Sequence, residues 1–209
     1  MEIMIKWFLF GLLAVSGSLT ADTKSAEKKV LAFAGSTRKD SCNKKLINHA
    51  AEIGRKMGLD VTVVDLKDFP MPLYDADLEQ NQGMPENAKR LRKMMVASDR
   101  IIISSPEYNG SLSAVLKNTI DWLSRSEDGK PSREAFAGKK FAIMSCAPGA
   151  GGGAKGLEHL RAVIKNIGGE VIDLQVVIPN SYTVFNPQGK IENESINQEI
   201  KQELQQLSK

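Results

Sequence analysis

Along this chain, runs of apolar residues alternate with stretches whose apolar positions recur at helical spacing. Residues 30–34 (Val-Leu-Ala-Phe-Ala) form a short unbroken run ending at Gly35-Ser36, which predicts a buried strand. From Asn43 the period becomes helical, with Leu46, Ile47, Ala50, Ala51 and Gly54 on one face and Gly58 as the stop. Residues 60–65 are β-branched and predict a second strand. Residues 69–75 (Phe-Pro-Met-Pro-Leu-Tyr-Asp) can continue neither element and predict a loop. Pro85 suits the first turn of a helix carrying Ala88, Leu91 and Met95 on one face. Residues 100–104 (Arg-Ile-Ile-Ile-Ser) are the most strand-like segment, as expected for a central parallel strand covered on both faces. A helix is predicted over 112–124, turning Leu112, Val115, Leu116, Ile120 and Leu123 inward. Lys117, Asp121 and Arg125 then stand four apart outside it as an ion-pair ladder. Residues 141–144 predict a fourth strand. Leu157, Leu160, Ile164 and Ile167 predict a fourth helix, closed by Gly168-Gly169. A fifth strand opens at 171–174, and 195–207 forms a polar amphipathic C-terminal helix.

Strands each followed by a helix, with short connections, imply right-handed βαβ crossovers and a doubly wound α/β sheet. A length of 209 residues allows one domain with a substantial core but not two comfortable ones. The net charge of +3 comes from interleaved acidic and basic residues, with no basic run flanked by aromatics, so a nucleic-acid partner is not expected. The two cysteines, Cys42 and Cys146, make no disulfide framework. They could pair in an exported protein, but the sequence reads better as two independent buried thiols. His49 and His159 both fall in helical stretches, as surface or helix-packing residues, and no metal-ligand spacing exists.

The N-terminus differs from the rest. Residues 7–15 are an unbroken apolar run after Lys6, followed by Ser-Gly-Ser-Leu-Thr-Ala ending at Ala21, the order of a secretory signal. The run is short for a membrane span, which needs about 20 apolar residues. Three readings stay open: a cleaved signal over 1–21, an uncleaved anchor, or an over-long start before a cytoplasmic protein. Residues 22–29 read as a polar linker, and the folded domain is expected over 30–209.

In doubly wound sheets ligands bind beyond the carboxyl ends of the strands. After the first strand stands Gly-Ser-Thr-Arg-Lys-Asp-Ser-Cys-Asn, residues 35–43, rich in small hydroxyl and amide side chains and leading into a helix. Amides at a helix start, with Ser and Thr hydroxyls, bind phosphate, and Arg38 adds charge-assisted bonds. The segment has neither the Gly-Lys-Ser/Thr ending of a Walker loop nor Gly-x-Gly-x-x-Gly, which points to a mononucleotide phosphate. After the third strand, 104–110 (Ser-Ser-Pro-Glu-Tyr-Asn-Gly) suits the edge and face of a flat heteroaromatic ligand. The alternative there is a plain turn with Asn109 as helix cap. After the fourth strand, 147–153 (Ala-Pro-Gly-Ala-Gly-Gly-Gly) lets backbone approach a ligand closely.

These segments, with Pro-Leu-Tyr-Asp-Ala-Asp at 72–77 and Leu-Lys-Asn-Thr-Ile-Asp-Trp-Leu-Ser-Arg at 116–125, resemble the NADPH-dependent FMN reductase family, including its chromate and quinone reductases. The likeness runs from about residue 29 to about 197. It implies a flavodoxin-like three-layer fold with a five-stranded parallel sheet of order 2-1-3-4-5. It also implies bound FMN, with NADPH or NADH as co-substrate. Ser36, Arg38, Ser41 and Asn43 would form the phosphate cradle together with Cys42, where relatives carry a small or aromatic residue. Pro106, Glu107, Tyr108, Asn109 and Gly110 would run along the ribityl chain and ring, and Ala147, Gly149 and Gly152 along the other flank. A homodimer or homotetramer is implied by the resemblance alone.

Hydride transfer through a flavin needs no protein nucleophile, which agrees with a chain lacking a triad, paired catalytic carboxylates or a metal cluster. Glu107 reads as loop structure and Asp121 as a helix ion pair. The expected activity is electron transfer from NAD(P)H through FMN to a small acceptor such as a flavin, a quinone or a chromate-like oxidant. The alternative is an electron carrier without NAD(P)H turnover. Carriers tend to be strongly acidic for docking, and this chain is slightly basic. The N-terminal segment favours export or membrane tethering. The family is usually cytoplasmic, and an exported chain would have to find FMN and its donor outside that compartment.

Overall fold

The computed structural model describes residues 28–209. The readings of residues 1–21, and most of the linker reading, lie outside the described residues. Lys29 already belongs to the first strand, so the domain begins one residue before the expected boundary.

The elements follow in the order β1 (Lys29–Ala34), α1 (Cys42–Lys56), β2 (Asp60–Asp65), α2 (Ala76–Gln82), α3 (Glu86–Val96), β3 (Arg100–Ser104), β4 (Glu107–Tyr108), β5 (Ser111–Leu112), α4 (Ala114–Leu123), β6 (Lys140–Cys146), α5 (Ala154–Asn166), β7 (Glu170–Val171), β8 (Val177–Ile178) and α6 (Glu194–Ser208). The main sheet is parallel and ordered β2-β1-β3-β6-β7, with β8 also pairing to β6. This is the flavodoxin-like order, its fifth position shared by two short pieces.

Successive strand residues point to opposite faces, so a strand covered on both sides must be apolar throughout. In β1, Leu31 and Phe33 join the layer made by α3, α4 and α5, while Val30, Ala32 and Ala34 join the layer of α1 and α6. In β3, Ile101 and Ile103 face the first layer and Ile102 the second. Trp122 is fully buried and donates its indole N–H to Pro72 O at 2.8 Å, which pins the proline-bearing loop to α4.

Four departures from the expected elements have local causes. Residues 76–82 form α2, started by Asp75, whose carboxylate accepts from the backbone N–H groups of Asp77 and Leu78. Leu112 lies outside α4, in a two-residue strand paired with Glu107. Ser113 caps α4 in its place, its Oγ accepting from Leu116 N at 3.3 Å. The third departure is the fifth strand, which breaks after Val171 and resumes at Val177. Across the break the buried Glu203 carboxylate of α6 accepts from Val176 N at 3.2 Å. On the other side Arg161 donates to the carbonyls of Val171, Ile172 and Asp173.

The fourth correction concerns Arg125. Lys117 and Asp121 do pair on α4, at 2.7 and 2.8 Å. Arg125 turns away from them to the buried Glu79 of α2, with Nε at 2.9 and 3.0 Å from its two carboxylate oxygens and Nη2 at 2.8 Å from Oε2. The Tyr74 hydroxyl donates to the same carboxylate at 3.1 Å. The local pattern assigns a loop to 69–75 and no element to 76–82, so it offers Arg125 no partner there. His49 is a helix-packing residue, with Nε2 2.7 Å from Asn197 Oδ1 on α6. His159 Nδ1 lies 3.0 Å from Ser111 Oγ.

Candidate functional site

The loops after β1, β3 and β6 meet at the carboxyl edge of the sheet, and one side chain ties their roots together. Asn43, in the first turn of α1, is 1% exposed. Its Oδ1 accepts from Ser104 Oγ at 2.8 Å and from Cys146 N at 3.1 Å, while Nδ2 donates to Cys146 O at 2.9 Å. An amide can do this because it offers both donors and acceptor lone pairs in one plane. The side chain of Asn43 is therefore spent on the protein. Ser113 adds a second tie, its Oγ donating to Gly35 O at 2.6 Å. Gly35 N donates to Ser104 O and Ser105 N to Met144 O, both at 2.8 Å, which carries the sheet ladder up to the root of each loop. At Gly35 a Cβ would stand 2.9 Å from Leu116 Cδ2, so α4 can pack here only against glycine.

The loop of residues 35–41 gathers hydrogen-bond donors at the start of α1. Ser41 occupies the N-cap of α1 but makes no side-chain capping bond, and no acidic residue lies in the first turn. The first amides of α1 are thus left to an external acceptor, at the positive end of the helix. Ser36 Oγ accepts from Arg38 N at 3.3 Å and keeps its own proton to donate. Arg38 is exposed and forms no ion pair among the described residues. Uncapped amides, two hydroxyls and a free guanidinium are a donor set that fits a phosphate dianion.

The segment after β3 is a hairpin. Asn109 and Gly110 have φ of 53° and 79° between the paired Tyr108 and Ser111, the two positive angles of a type I′ turn. Asn109 is a turn residue, therefore, and caps no helix. Pro106 is buried, and Tyr108 at the tip is 57% exposed. The Glu107 carboxylate accepts from Gly156 N at 3.2 Å, so it caps the first turn of α5 from across the cleft.

Residues 147–153 form the facing wall. Gly152 and Gly153 have φ of 59° and 97° and are buried. A Cβ on Gly152 would lie 2.6 Å from Val177 Cγ1, and one on Gly153 would overlap Ser145 Oγ. Gly149 and Gly151 stand in open space. Ala147 is half-buried, its N–H bonded to Ile178 O at 3.1 Å.

Cys42 opens α1 and lines a cavity of about 330 Å³ with Arg38, Lys45, Pro148, Ser181 and Tyr182. Its Sγ is 3.1 Å from Cys146 O. Hydrogen bonding from the Cys146 thiol, then from Ser181, and the nearby Arg38 charge lower the Cys42 thiol to about 6 against burial. Burial pushes the Cys146 thiol the opposite way, far up. The two cysteines are thus neighbours, where the sequence read them as independent.

The structure brings Ser36, Arg38, Ser41, Cys42 and Asn43 together in one loop and helix start. Pro106 to Gly110 and Ala147 to Gly152 stand across from it. Sequence reasoning did not single out Ser113, Ser145 or Ser181. A signal existed for Ser145, a hydroxyl near the end of an otherwise apolar strand, as for Ser104. Ser181 and Tyr182 arrive from a segment with no local motif.

The model of the family described as NADPH-dependent FMN reductase matches residues 28–183. An NAD(P)H-dependent FMN reductase of Pseudomonas aeruginosa is 32% identical over 184 residues, covering 88% of this chain and 95% of that one. An NADPH:quinone oxidoreductase of Arabidopsis thaliana is 32% identical over 189 residues, covering 86% and 89%. Among solved structures, the flavoenzyme NAD(P)H:(acceptor) oxidoreductase of Paracoccus denitrificans matches in fold with a TM-score of 0.73 at 24% identity, over 87% of this chain and 97% of that one.

Proposed function

This chain belongs to the NADPH-dependent FMN reductase family, and from that premise we propose how its own residues hold the cofactor. The protein is an FMN-dependent oxidoreductase that passes electrons from NAD(P)H to a small acceptor. FMN, when bound, supplies the hydride-accepting and hydride-donating chemistry. The chain supplies binding, orientation and a shaped face.

In this reading the phosphate lies on residues 35–43. Ser36, Ser41 and the uncapped amides of Cys42 and Asn43 donate to it, and Arg38 neutralises its charge. The side chain of Asn43 acts on the loop and not on the phosphate. The ring lies between Pro106 to Gly110 on one side and Ala147, Gly149 and Gly152 on the other, with Glu107 holding the two walls in register. Donor and acceptor take the same open face in turn. Quinones are the acceptor class we propose, since curated relatives at this level of identity carry that name.

The observation that carries the placement is the convergence of an uncapped helix start, a free Arg38, the 106–110 hairpin and the glycine-lined wall of 147–153 on one edge, tied by Asn43. Purified protein should be yellow, absorb near ~450 nm and bleach when NADPH is added without oxygen. Arg38→Ala should weaken FMN binding about tenfold or more, the loss expected for one charge-assisted hydrogen bond, with the melting temperature unchanged. Quenching of flavin fluorescence reads this directly, and wild-type affinity in the variant would remove the phosphate from this loop.

The same proposal extends to assembly and location. Leu73 and Tyr108 are 77% and 57% exposed, as expected of residues covered in a homodimer or homotetramer. Sedimentation of the holoenzyme tests that. Residues 1–21 would act as an export signal or tether, and N-terminal sequencing of the native protein would show whether they are retained.

A further inference from the structure

We propose that Cys42 and Cys146 are a redox pair, which a hydroperoxide converts through Cys42 sulfenate into an intramolecular disulfide joining the start of α1 to the end of β6. These residues are separated by 104 positions along the chain, and the fold brings them together. Cys42 Sγ lies 3.1 Å from Cys146 O, which sets the Cys42 sulfur directly against the residue that carries the second thiol. Asn43, next in sequence, holds both the N–H and the C=O of Cys146, so the two backbones are kept in register.

The two thiols have different access. Cys42 is half-buried and opens on the cavity beside Arg38 and Lys45, whereas Cys146 is 1% exposed. Only Cys42 can meet an oxidant from solvent. Its place at the positive end of α1, with the Arg38 guanidinium close by, favours the thiolate, the form that attacks. Asp40 on the same cavity wall is the opposing charge, and Ser181 donates toward the sulfur. As a thiol, Cys42 donates to Cys146 O.

The steps balance. Cys42 thiolate attacks one peroxide oxygen, the O–O bond breaks, and hydroxide leaves, giving the sulfenic acid. The Cys146 sulfur then attacks Cys42 Sγ, the S–O bond breaks, and the Cys146 proton leaves with the hydroxyl as water. Two electrons pass from the sulfurs to the peroxide. Burial keeps Cys146 protonated, so the second step is the slow one and sulfenate should accumulate before the bridge closes.

The test uses the full chain, reduced, freed of reductant and exposed to a small excess of hydrogen peroxide. Its two thiols should fall to none, a non-reducing digest should contain the peptides of Cys42 and Cys146 joined, and dithiothreitol should restore both. Cys146→Ser should stop at a sulfenate on Cys42 that dimedone traps. Cys42→Ser should keep its single thiol through the same treatment. Two free thiols after exposure, a Cys42 sulfinate beside a free Cys146, or bridges only between molecules would each overturn the proposal.

Discussion

The two walls of the cleft are held in place by opposite means. On the side of residues 35–43 the backbone is held by directional bonds: the Asn43 amide makes three to Ser104 and Cys146, and Ser113 a fourth to Gly35. On the side of residues 147–153 it is held by contact, with Gly152 and Gly153 at positive φ pressed against Val177 and Ser145. A hydrogen-bonded wall fixes orientation and leaves its amides pointing outward, as an anion requires. A glycine wall gives up side chains so that main chain can come close to a flat surface. The first should fail when a polar group is lost, the second when an atom is added.

The largest effect is expected on the glycine wall. Gly153→Ala forces a β-carbon onto Ser145 and keeps a left-handed backbone, costing about 4 kcal/mol, or roughly 10 °C in melting temperature. Ser145 Oγ is buried without a partner, so Ser145→Ala alone should be nearly neutral and should recover part of the loss in the double variant. Equal melting of Gly153→Ala and wild type by calorimetry would end the steric account.

Asn43→Ala should cost about 3 kcal/mol, since it leaves the Ser104 hydroxyl and the Cys146 N–H buried without partners and takes one of two donors from the Cys146 carbonyl. Asn43→Asp should do no better, because it turns an oxygen toward Cys146 O where a donor is needed. Chemical denaturation measures both, and a stable Asn43→Asp would mean that the amide is not the brace.

The footing of the glycine wall is sensitive to pH. Ser145 N donates to Val176 O, and Val176 N in turn to Glu203, whose other oxygen has no partner. Burial raises the Glu203 carboxyl well above its ordinary 4.5. A carboxyl raised in the folded state contributes stability that is whole below 4.5 and is lost as pH rises toward the folded value. Arg161, the facing charge, is engaged with backbone carbonyls and offsets this only in part. Glu203→Gln should therefore melt higher than wild type at pH 8, by on the order of 1 kcal/mol, with the gap closing toward pH 4. A constant gap at every pH would assign the effect to packing.

Lys117→Ala, on the outer face of α4 and remote from both walls, should cost only about 0.3–0.5 kcal/mol. A larger loss would mean that α4 couples to the cleft more strongly than its packing against Gly35 implies.

Much of this molecule was legible in local pattern. Strands β1, β2, β3 and β6 and helices α1, α3, α5 and α6 follow from apolar runs, helical spacing, and Gly58, Pro85 and Gly168 as punctuation. The Asn-Gly pair at 109–110 also carried its hairpin, since both positions need positive φ, but the reading of 104–110 as a ligand loop, with a plain turn as the alternative, leaves the hairpin out. Helix α2 depends on the capping carboxylate of Asp75 and on burial of Glu79 against Arg125, and neither partner shows in a seven-residue window. The candidate site divides in the same way. The hydroxyl-rich loop and the glycines are local composition, readable in order. The spending of Asn43 on β3 and β6 is not.

By itself the sequence determined the layer order, the edge where a ligand must sit, and the residue types available there, because these depend on periodicity and on backbone freedom at single positions. Tertiary structure decided which polar groups are consumed by the fold and which remain free: Asn43 turned inward, Arg125 drawn from its ladder to Glu79, Glu203 set into a gap in the sheet, Cys42 laid against Cys146. The reason is physical. A buried polar group must find its partner in three dimensions, and partners as far apart as residues 43 and 146 leave no trace in the local pattern of either.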